Sequence, residues 1–228
     1  MKEAIHLTEH LIRAIAEKLT PDNSPESRFY LAISGGSSPE NLFHLWRGDF
    51  MKKIPWEKIE LFWVDERCVS PFDSESNYGQ AKRQLLDFVP IPEMQVHRIH
   101  GEEESVSEAE RYSMLVMNLL PSNNGVPLFD FIVLGVGEDG HTSSIFPGQS
   151  HLYDSIHPYS KSLNPYNGQN RIAMTGLPII NAGTAAFYLS GENKTVIMKA
   201  IYNSKNDTEY PAGYMLKRAT NSKVFWDK

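Results

Sequence analysis

The sequence predicts an α/β fold in which a mostly parallel central sheet is flanked by helices on both faces, in a Rossmann-like arrangement. Short apolar runs alternate along the chain with amphipathic stretches of helical period, which is the order of elements in such folds. The apolar runs are almost continuous, as expected for strands that helices cover on both sides. Motifs rich in glycine and polar residues follow several of these runs, where open parallel sheets bind their ligands.

The predicted elements follow one another closely along the chain. Strands are predicted at 28–34, 59–65, 129–137, 171–176 and 183–191, and helices at 2–19, 40–46, 76–87, 105–120 and 194–202. Pro39 suits the first turn of the second helix, and Ser76 is a candidate N-cap of the third. Residues 147–170 contain three prolines and three asparagines, so they are predicted to be a long loop that is functional or mobile. We expect one domain over residues 1–228.

The composition restricts the class of protein. Of the 228 residues, 41% are hydrophobic, which is enough for a core without disulfides or a structural metal. The single cysteine, Cys68, favours a reducing compartment, and neither a signal peptide nor a membrane-spanning run is recognisable, so a cytoplasmic protein is expected. The net charge is −6 without a cluster of Lys and Arg, so nucleic acid is not an expected partner. An anionic substrate would need cations concentrated at its site.

Residues 135–140 have the G-x-G-x-x-G spacing of a dinucleotide-binding turn and directly follow a predicted strand. A nucleotide site also needs a long helix after the turn and an acidic residue that ends the next strand. Pro147 leaves room for only two helical turns, and no such acidic residue occurs near position 160. We therefore favour a sharp turn that presents Asp139 and His141 for proton transfer, although His141 could also merely cap the turn.

Five motifs, taken together, carry a resemblance to a known family. They are "SGGSSP" (34–39), "DERCVSPFDSESNYGQA" (65–81), "GVGEDGHTSSIFPG" (135–148), "RIAMT" (171–175) and "SGENK" (190–194). Their order and separations resemble those of the 6-phosphogluconolactonase family, whose fold group also contains glucosamine-6-phosphate deaminases and isomerases. Ser38 departs from the family pattern, which usually has threonine there, but a hydroxyl is kept. The resemblance covers most of the chain.

The resemblance implies hydrolysis of 6-phospho-D-glucono-1,5-lactone to 6-phosphogluconate, a step of the oxidative pentose phosphate pathway. The expected partner is thus a small sugar-phosphate lactone, with no metal, no cofactor and no membrane involved. We expect a monomer or a weak homodimer.

The phosphate end of such a substrate needs hydrogen-bond donors and cations. A glycine turn that leads into a helix N-terminus is suited to bind an anion, and the candidates there are Ser34, Gly35, Gly36, Ser37 and Ser38. The candidate cations are Arg67, Arg171 and Lys194, and the sequence leaves open which of them holds the phosphate. Arg67 could also bind the sugar acid or pair with a neighbouring carboxylate.

The lactone end needs a group that activates water. His141 is the expected general base, Asp139 its orienting neighbour or a substrate contact, and Asp65 a second carboxylate that orients water or a sugar hydroxyl. A covalent route is disfavoured, because no G-x-S-x-G motif is present and Cys68 has no evident partner. Asn77 and Tyr78 either line the pocket or pack at the start of a helix.

Two other functions remain open from the sequence. A sugar-phosphate deaminase or isomerase could share the scaffold, but that group typically has "MDEY" where this chain has "VDERCVS". A non-catalytic sugar-phosphate sensor would keep the phosphate loop, but it would not need both Asp139 and His141.

Overall fold

A computed structural model of the chain, which describes residues 1–20, 24, 26–36 and 38–227, has the predicted parallel sheet at its centre. In spatial order its six strands are β11 (Ser222–Asp227), β10 (Ala185–Ser190), β7 (Phe131–Leu134), β1 (Phe29–Ile33), β2 (Ile59–Trp63) and β4 (Val96–His97). Every neighbouring pair runs parallel. All four residues of β7 are buried, which requires cover on both faces of the sheet.

Seven helices surround the strands in the described part of the chain: α1 (Lys2–Leu19), α2 (Glu40–Arg47), α3 (Asn77–Ala81), α4 (Ser105–Leu119), α5 (Gly176–Ile180), α6 (Lys194–Asn203) and α7 (Pro211–Arg218). α1 packs on β1, β10 and β11 and is joined to α2 where Trp46 Nε1 donates to Thr8 Oγ1 at 3.0 Å. α3 begins as predicted, with Ser76 Oγ accepting from the Gly79 N–H at 3.0 Å, but it is shorter than expected and continues as a π turn over Lys82–Leu86.

A second, antiparallel sheet corrects two of the predicted strands. Its members are β3 (Asp65–Arg67), β9 (Asn170–Met174) and β8 (Tyr159–Leu163). The strand predicted at 59–65 ends at Trp63, because the chain then leaves the central sheet and pairs with β9. The run predicted at 171–176 is a strand, but its partners are β3 and β8 and not the parallel strands.

The predicted loop at 147–170 is also partly wrong, because it contains β8. The sequence of that strand, "YSKSL", has only two apolar residues, so its alternation of apolar and polar residues is too weak to recognise. Its extended conformation is stabilised by pairing with β9. A short hairpin, β5 (Ser122–Asn123) and β6 (Val126–Pro127), completes the strands. β4, β11, α5 and α7 were not predicted from the sequence.

The order of the parallel strands determines where a ligand can bind. β2 and β4 lie on one side of β1, and the later strands β7, β10 and β11 lie on the other, so the strand order reverses at β1 and a crevice opens at its carboxyl end. The stretches that begin at residues 34 and 135 follow β1 and β7 and enter this crevice. No described helix is long and apolar enough to cross a membrane.

Candidate active site

A cleft of about 430 Å³ opens at the carboxyl ends of the parallel strands. It brings together most of the residues that the sequence singled out: Ser34, Gly35, Gly36, Ser38, Asp65, Arg67, His141, Arg171 and Lys194. Asp139 lies behind His141, in an adjoining depression that His141 and Tyr166 also line. Ser37 lies outside the described residues.

The turn after β7 holds His141 against Asp139. The imidazole Nδ1 lies 2.6 Å from Asp139 Oδ1, which also accepts the backbone N–H of His141 at 3.1 Å. The turn is closed by hydrogen bonds from the Gly137 N–H to the His141 carbonyl at 2.9 Å and from the Gly140 N–H to the Gly137 carbonyl at 3.1 Å. Gly140 has φ +82°, a conformation that side chains rarely adopt.

The charge of Asp139 decides which imidazole nitrogen carries the proton. Burial alone would raise the pKa of Asp139, but hydrogen bonds from His141 and Tyr166 and the charge of His141 outweigh it and lower the pKa to about 2. Asp139 is therefore a carboxylate near neutral pH, and it accepts a hydrogen bond from the Nδ1–H of the ring. Nε2 of the neutral ring then carries a free lone pair, and no described group is hydrogen-bonded to it.

The residues after His141 form a tight turn and not a helix. Thr142 pairs with Ile145, and both Ser143 and Ser144 have φ +54°, which is costly for residues with a Cβ. Their hydroxyls offset this cost, since Ser143 donates to the Met174 carbonyl at 2.8 Å and Ser144 donates to Asp65 Oδ2. The turn therefore fixes the Asp65 carboxylate at the wall of the cleft.

Arg67 and Arg171 lie directly opposite each other on β3 and β9. Arg67 donates to the backbone carbonyl of Glu75, but within the described residues neither guanidinium forms an ion pair with a carboxylate. Both Nε atoms are buried without a hydrogen-bond partner. Burial, and then the charge of Arg67, lower the pKa of Arg171. Two adjacent cations without counter-ions are the arrangement expected of a site that binds an anion.

The loop after β1 is held in place by some of the groups that were expected to bind phosphate. The hydroxyl of Ser34 donates to the Val133 carbonyl at 2.9 Å. The Gly36 N–H donates to Gln80 Oε1 at 2.8 Å, and Gln80 Nε2 donates back to the Gly36 carbonyl at 2.7 Å. Ser34 and Gly36 thus shape the loop with these donors, whereas Ser38 lines the cleft and its hydroxyl forms no hydrogen bond with another described residue.

Asn77 and Tyr78 pack at the start of α3, which was one of the two roles expected of them, and do not line the pocket. Asn77 is buried, donates to the Asp65 carbonyl at 2.8 Å and leaves no space for a side chain at Gly35. The ring of Tyr78 meets Trp63 edge to face at 5.5 Å between centroids. Neither residue lines the cleft.

Lys194 begins α6 and lies at the wall of the cleft. It forms no ion pair with any described carboxylate, whereas its neighbour Asn193 donates to Glu138 Oε1 at 2.9 Å and ties this loop to the turn after β7. Three cations thus line one cleft in a chain whose net charge is −6.

Several residues of the site gave no signal in the sequence. Ser144 holds Asp65, Gln80 holds Gly36, and Tyr166 donates to Asp139 Oδ2 at 2.8 Å. Gln80 could have been considered because it lies one helical turn after Ser76, but Tyr166 lies in a stretch whose structure depends on distant pairing. Among the described residues no three His, Cys, Asp or Glu side chains are grouped so as to hold a metal ion.

Comparisons with known proteins agree with the motifs in this cleft. A family model described as glucosamine-6-phosphate isomerases/6-phosphogluconolactonase matches residues 2–226. The chain is 34% identical over 220 residues to the 6-phosphogluconolactonase of Haemophilus influenzae, which covers 96% of this chain and 92% of that protein. It is 37% identical over 172 residues to the 6-phosphogluconolactonase of Treponema pallidum, which covers 75% of this chain and 71% of that protein.

A solved structure supports the same assignment. The crystal structure of the devB protein superposes with a TM-score of 0.83 at 33% sequence identity and covers 96% of this chain and 92% of its own. Since sequence and fold both match over nearly the whole length, the chain belongs to the glucosamine-6-phosphate isomerase/6-phosphogluconolactonase family.

Proposed function

We propose that the chain hydrolyses 6-phospho-D-glucono-1,5-lactone to 6-phosphogluconate. This reaction is a step of the oxidative pentose phosphate pathway. The observation that carries the proposal is that the His141–Asp139 pair and the unpaired Arg67 and Arg171 share one cleft. One group can activate water and the other can hold a phosphate. The names of the relatives support the same reaction.

His141 acts as general base in this proposal. Its Nε2 accepts a proton from a water molecule while the water oxygen attacks C1 of the lactone, and Asp139 stabilises the imidazolium that forms. The tetrahedral intermediate then collapses with cleavage of the bond between C1 and the ring oxygen. The imidazolium returns its proton to that oxygen, which becomes the 5-hydroxyl group, and the acid product ionises in solvent. General-base help of this kind contributes about 10²- to 10⁴-fold to a rate.

The cations and the second carboxylate bind and orient the substrate in this proposal. The phosphate and the developing acid are bound by the side chains of Arg67, Arg171, Lys194 and Ser38. Asp65, fixed by Ser144, accepts a hydrogen bond from a sugar hydroxyl or from the attacking water. The phosphate anchors one end of the substrate, so the ester is held at a fixed distance from His141.

A coupled assay with freshly generated lactone, corrected for spontaneous hydrolysis, tests the proposal. The chain should accelerate hydrolysis well above the background rate, and His141→Gln should lose at least about 100-fold in kcat while it still binds 6-phosphogluconate. His151→Gln is the matched control, because His151 is exposed and outside the cleft, and it should keep the original kcat. A wild-type rate no faster than the background would refute the proposal.

The same preparation distinguishes the alternatives. A deaminase would release ammonia from glucosamine 6-phosphate, and a sensor would bind 6-phosphogluconate without any turnover. The presence of Arg67 where deaminases typically have tyrosine favours the lactonase.

The remaining expectations are proposals of the same kind. The half-buried Cys68 is compatible with a reducing, cytoplasmic location. Limited proteolysis checks the single domain over residues 1–228, and light scattering checks whether the chain is a monomer or a weak homodimer and whether it carries nucleic acid. Activity after extensive dialysis against chelator checks the absence of a cofactor.

A further inference from the structure

Tyr166 has an unusual environment for an aromatic residue. It lies at the tip of the hairpin between β8 and β9, and 70% of its surface is exposed. Its hydroxyl nevertheless donates to Asp139 Oδ2 at 2.8 Å, and this hydrogen bond raises the pKa of Tyr166. Burial of the ring therefore does not account for its position, and the contact with Asp139 is the main interaction of its polar end.

The hairpin tip is built to hold this position. The Tyr166 N–H donates to Asn164 Oδ1 at 2.9 Å, and the Gly168 N–H donates to the Asn164 carbonyl at 2.9 Å. Gln169 Nε2 donates to Glu75 Oε2 at 3.0 Å and thereby links the tip to the loop after β3, in which the Glu75 carbonyl accepts from Arg67. The ring of Tyr166 also meets the Phe146 ring edge to face, with 6.3 Å between centroids.

Asp139 is consequently held at both of its oxygens. Oδ1 accepts from Nδ1 and from the backbone N–H of His141, and Oδ2 accepts from Tyr166. The Phe146 ring also packs against the imidazole, with 4.6 Å between their centroids. Rotation of the carboxylate would break the bond to Tyr166 together with the bond to His141, so the two bonds support each other.

We propose that Tyr166 is a positioning residue, which fixes the Asp139 carboxylate so that His141 keeps its proton on Nδ1 and presents an unprotonated Nε2 to the cleft. This inference rests on the proposed lactonase function, in which Nε2 of His141 accepts the proton of water. Tyr166 keeps its own proton, which it donates to Asp139 in a hydrogen bond, and transfers none in the proposed reaction. Its effect on the rate passes through Asp139 and from there through the ring of His141.

Tyr166→Phe removes the hydroxyl and keeps the ring beside Phe146. We expect kcat to fall at least about tenfold, which is the rate equivalent of the lower end of the range for a hydrogen bond to a charged group, because Tyr166 is exposed. KM should stay within about threefold, because the hydroxyl is engaged by Asp139 and is not offered to the substrate. Tyr214→Phe is the matched control: it also removes a hydroxyl that donates to a carboxylate, Asp154 at 3.0 Å, but outside the cleft, and kcat should not change.

A double-mutant cycle tests the route of the effect. In an Asp139→Ala background, Tyr166→Phe should cause no further loss of kcat, because the acceptor of its hydrogen bond is gone. Equal losses in both backgrounds, or a rise of KM with an unchanged kcat, would overturn the inference and make Tyr166 a substrate contact instead.

Nitrogen-15 NMR of the imidazole gives a readout that does not depend on turnover. The neutral ring of His141, assigned with His141→Gln, should carry its proton on Nδ1 in the wild type and should populate both tautomers in Tyr166→Phe. If wild-type protein fails to hydrolyse the lactone but the tautomers shift, the proposed function is wrong and the positioning role stands. If tautomers and kcat both match the wild type in Tyr166→Phe, the positioning role is wrong and the proposed function stands.

Discussion

Gly137→Ala should abolish most activity without unfolding the chain, because of where the new methyl group would lie. A Cβ at this position would be 2.1 Å from His141 Nδ1, 2.3 Å from Cε1 and 2.7 Å from Asp139 Oδ1. The backbone of Gly137 is not in the left-handed region, so alanine is tolerated by the main chain. The three atoms nearest to the new methyl group thus all belong to the two side chains that are proposed to activate water.

The structure gives the size of the displacement. Ordinary contacts begin near 3.4 Å, so the imidazole must retreat by about 3.4 − 2.1 = 1.3 Å. A misplacement of about 1 Å at a reacting group typically costs about 10²-fold in rate, equivalent to about 2.7 kcal/mol in activation free energy. The free energy of unfolding should fall by no more than about 1–2 kcal/mol, because the disturbed His141–Asp139 interaction is partly exposed and alanine also restricts the unfolded chain.

The assay is lactone hydrolysis with fresh substrate, together with urea unfolding of each variant. Gly135→Ala is the matched control: it lies two residues earlier in the same turn, and its Cβ would have no atom within 4 Å. Its kcat should stay within about threefold of the wild type, and because Gly135 lines the cleft, any effect of the methyl group on substrate binding should appear in KM. If Gly137→Ala kept the wild-type kcat, His141 would not be the group whose position controls the reaction.

Three further predictions concern charge and titration. Hydrogen bonds from His141 and Tyr166 outweigh burial and lower the pKa of Asp139 to about 2. The carboxylate therefore stabilises the folded chain above about pH 4, and this stabilisation is lost as the pH falls toward 2. In urea unfolding, Asp139→Asn should lower the free energy of unfolding by about 1–2 kcal/mol at pH 6, after allowance for partial exposure, and by almost nothing at pH 2. Arg171→Met should weaken binding of 6-phosphogluconate by at least about tenfold in calorimetry, yet raise the melting temperature in phosphate-free buffer, because a buried cation beside Arg67 is removed. Burial raises the pKa of the Cys68 thiol to about 11, so Cys68→Ser should keep the wild-type kcat and the native thiol should react slowly with alkylating agents at pH 7.

The meeting of the motifs that begin at residues 34, 65, 135 and 190 was predictable because it depends on a general property of parallel sheets. Strands that run in the same direction bring their carboxyl ends to one edge, so stretches after separate strands converge there whatever their distance in sequence. Residues 34–38 and 135–141 thus lie at one cleft, because β1 and β7 are direct neighbours. The prediction needed the direction of the strands but not their register.

The pairing of Arg67 with Arg171 was not predictable in the same way. It depends on β3, which has three residues and is too short to show a period, and on an antiparallel register with a strand about a hundred residues later. Tyr166 was missed for the same physical reason, since its place over Asp139 follows from the pairing of β8 with β9. Contacts that arise from the register of distant strands leave no local mark in the sequence.

The G-x-G-x-x-G spacing at 135–140 shows why a motif needs its structural context. In a nucleotide site the central glycine lets the backbone approach a pyrophosphate, and a helix after the turn supplies the N–H groups. Here Thr142 and Ile145 close a tight turn where that helix would begin. The space freed by the absent Cβ of Gly137 is filled by the ring of His141 and the carboxylate of Asp139. The glycine thus admits the chain's own acid–base pair instead of a ligand, which is why replacing it with alanine should affect kcat far more than binding.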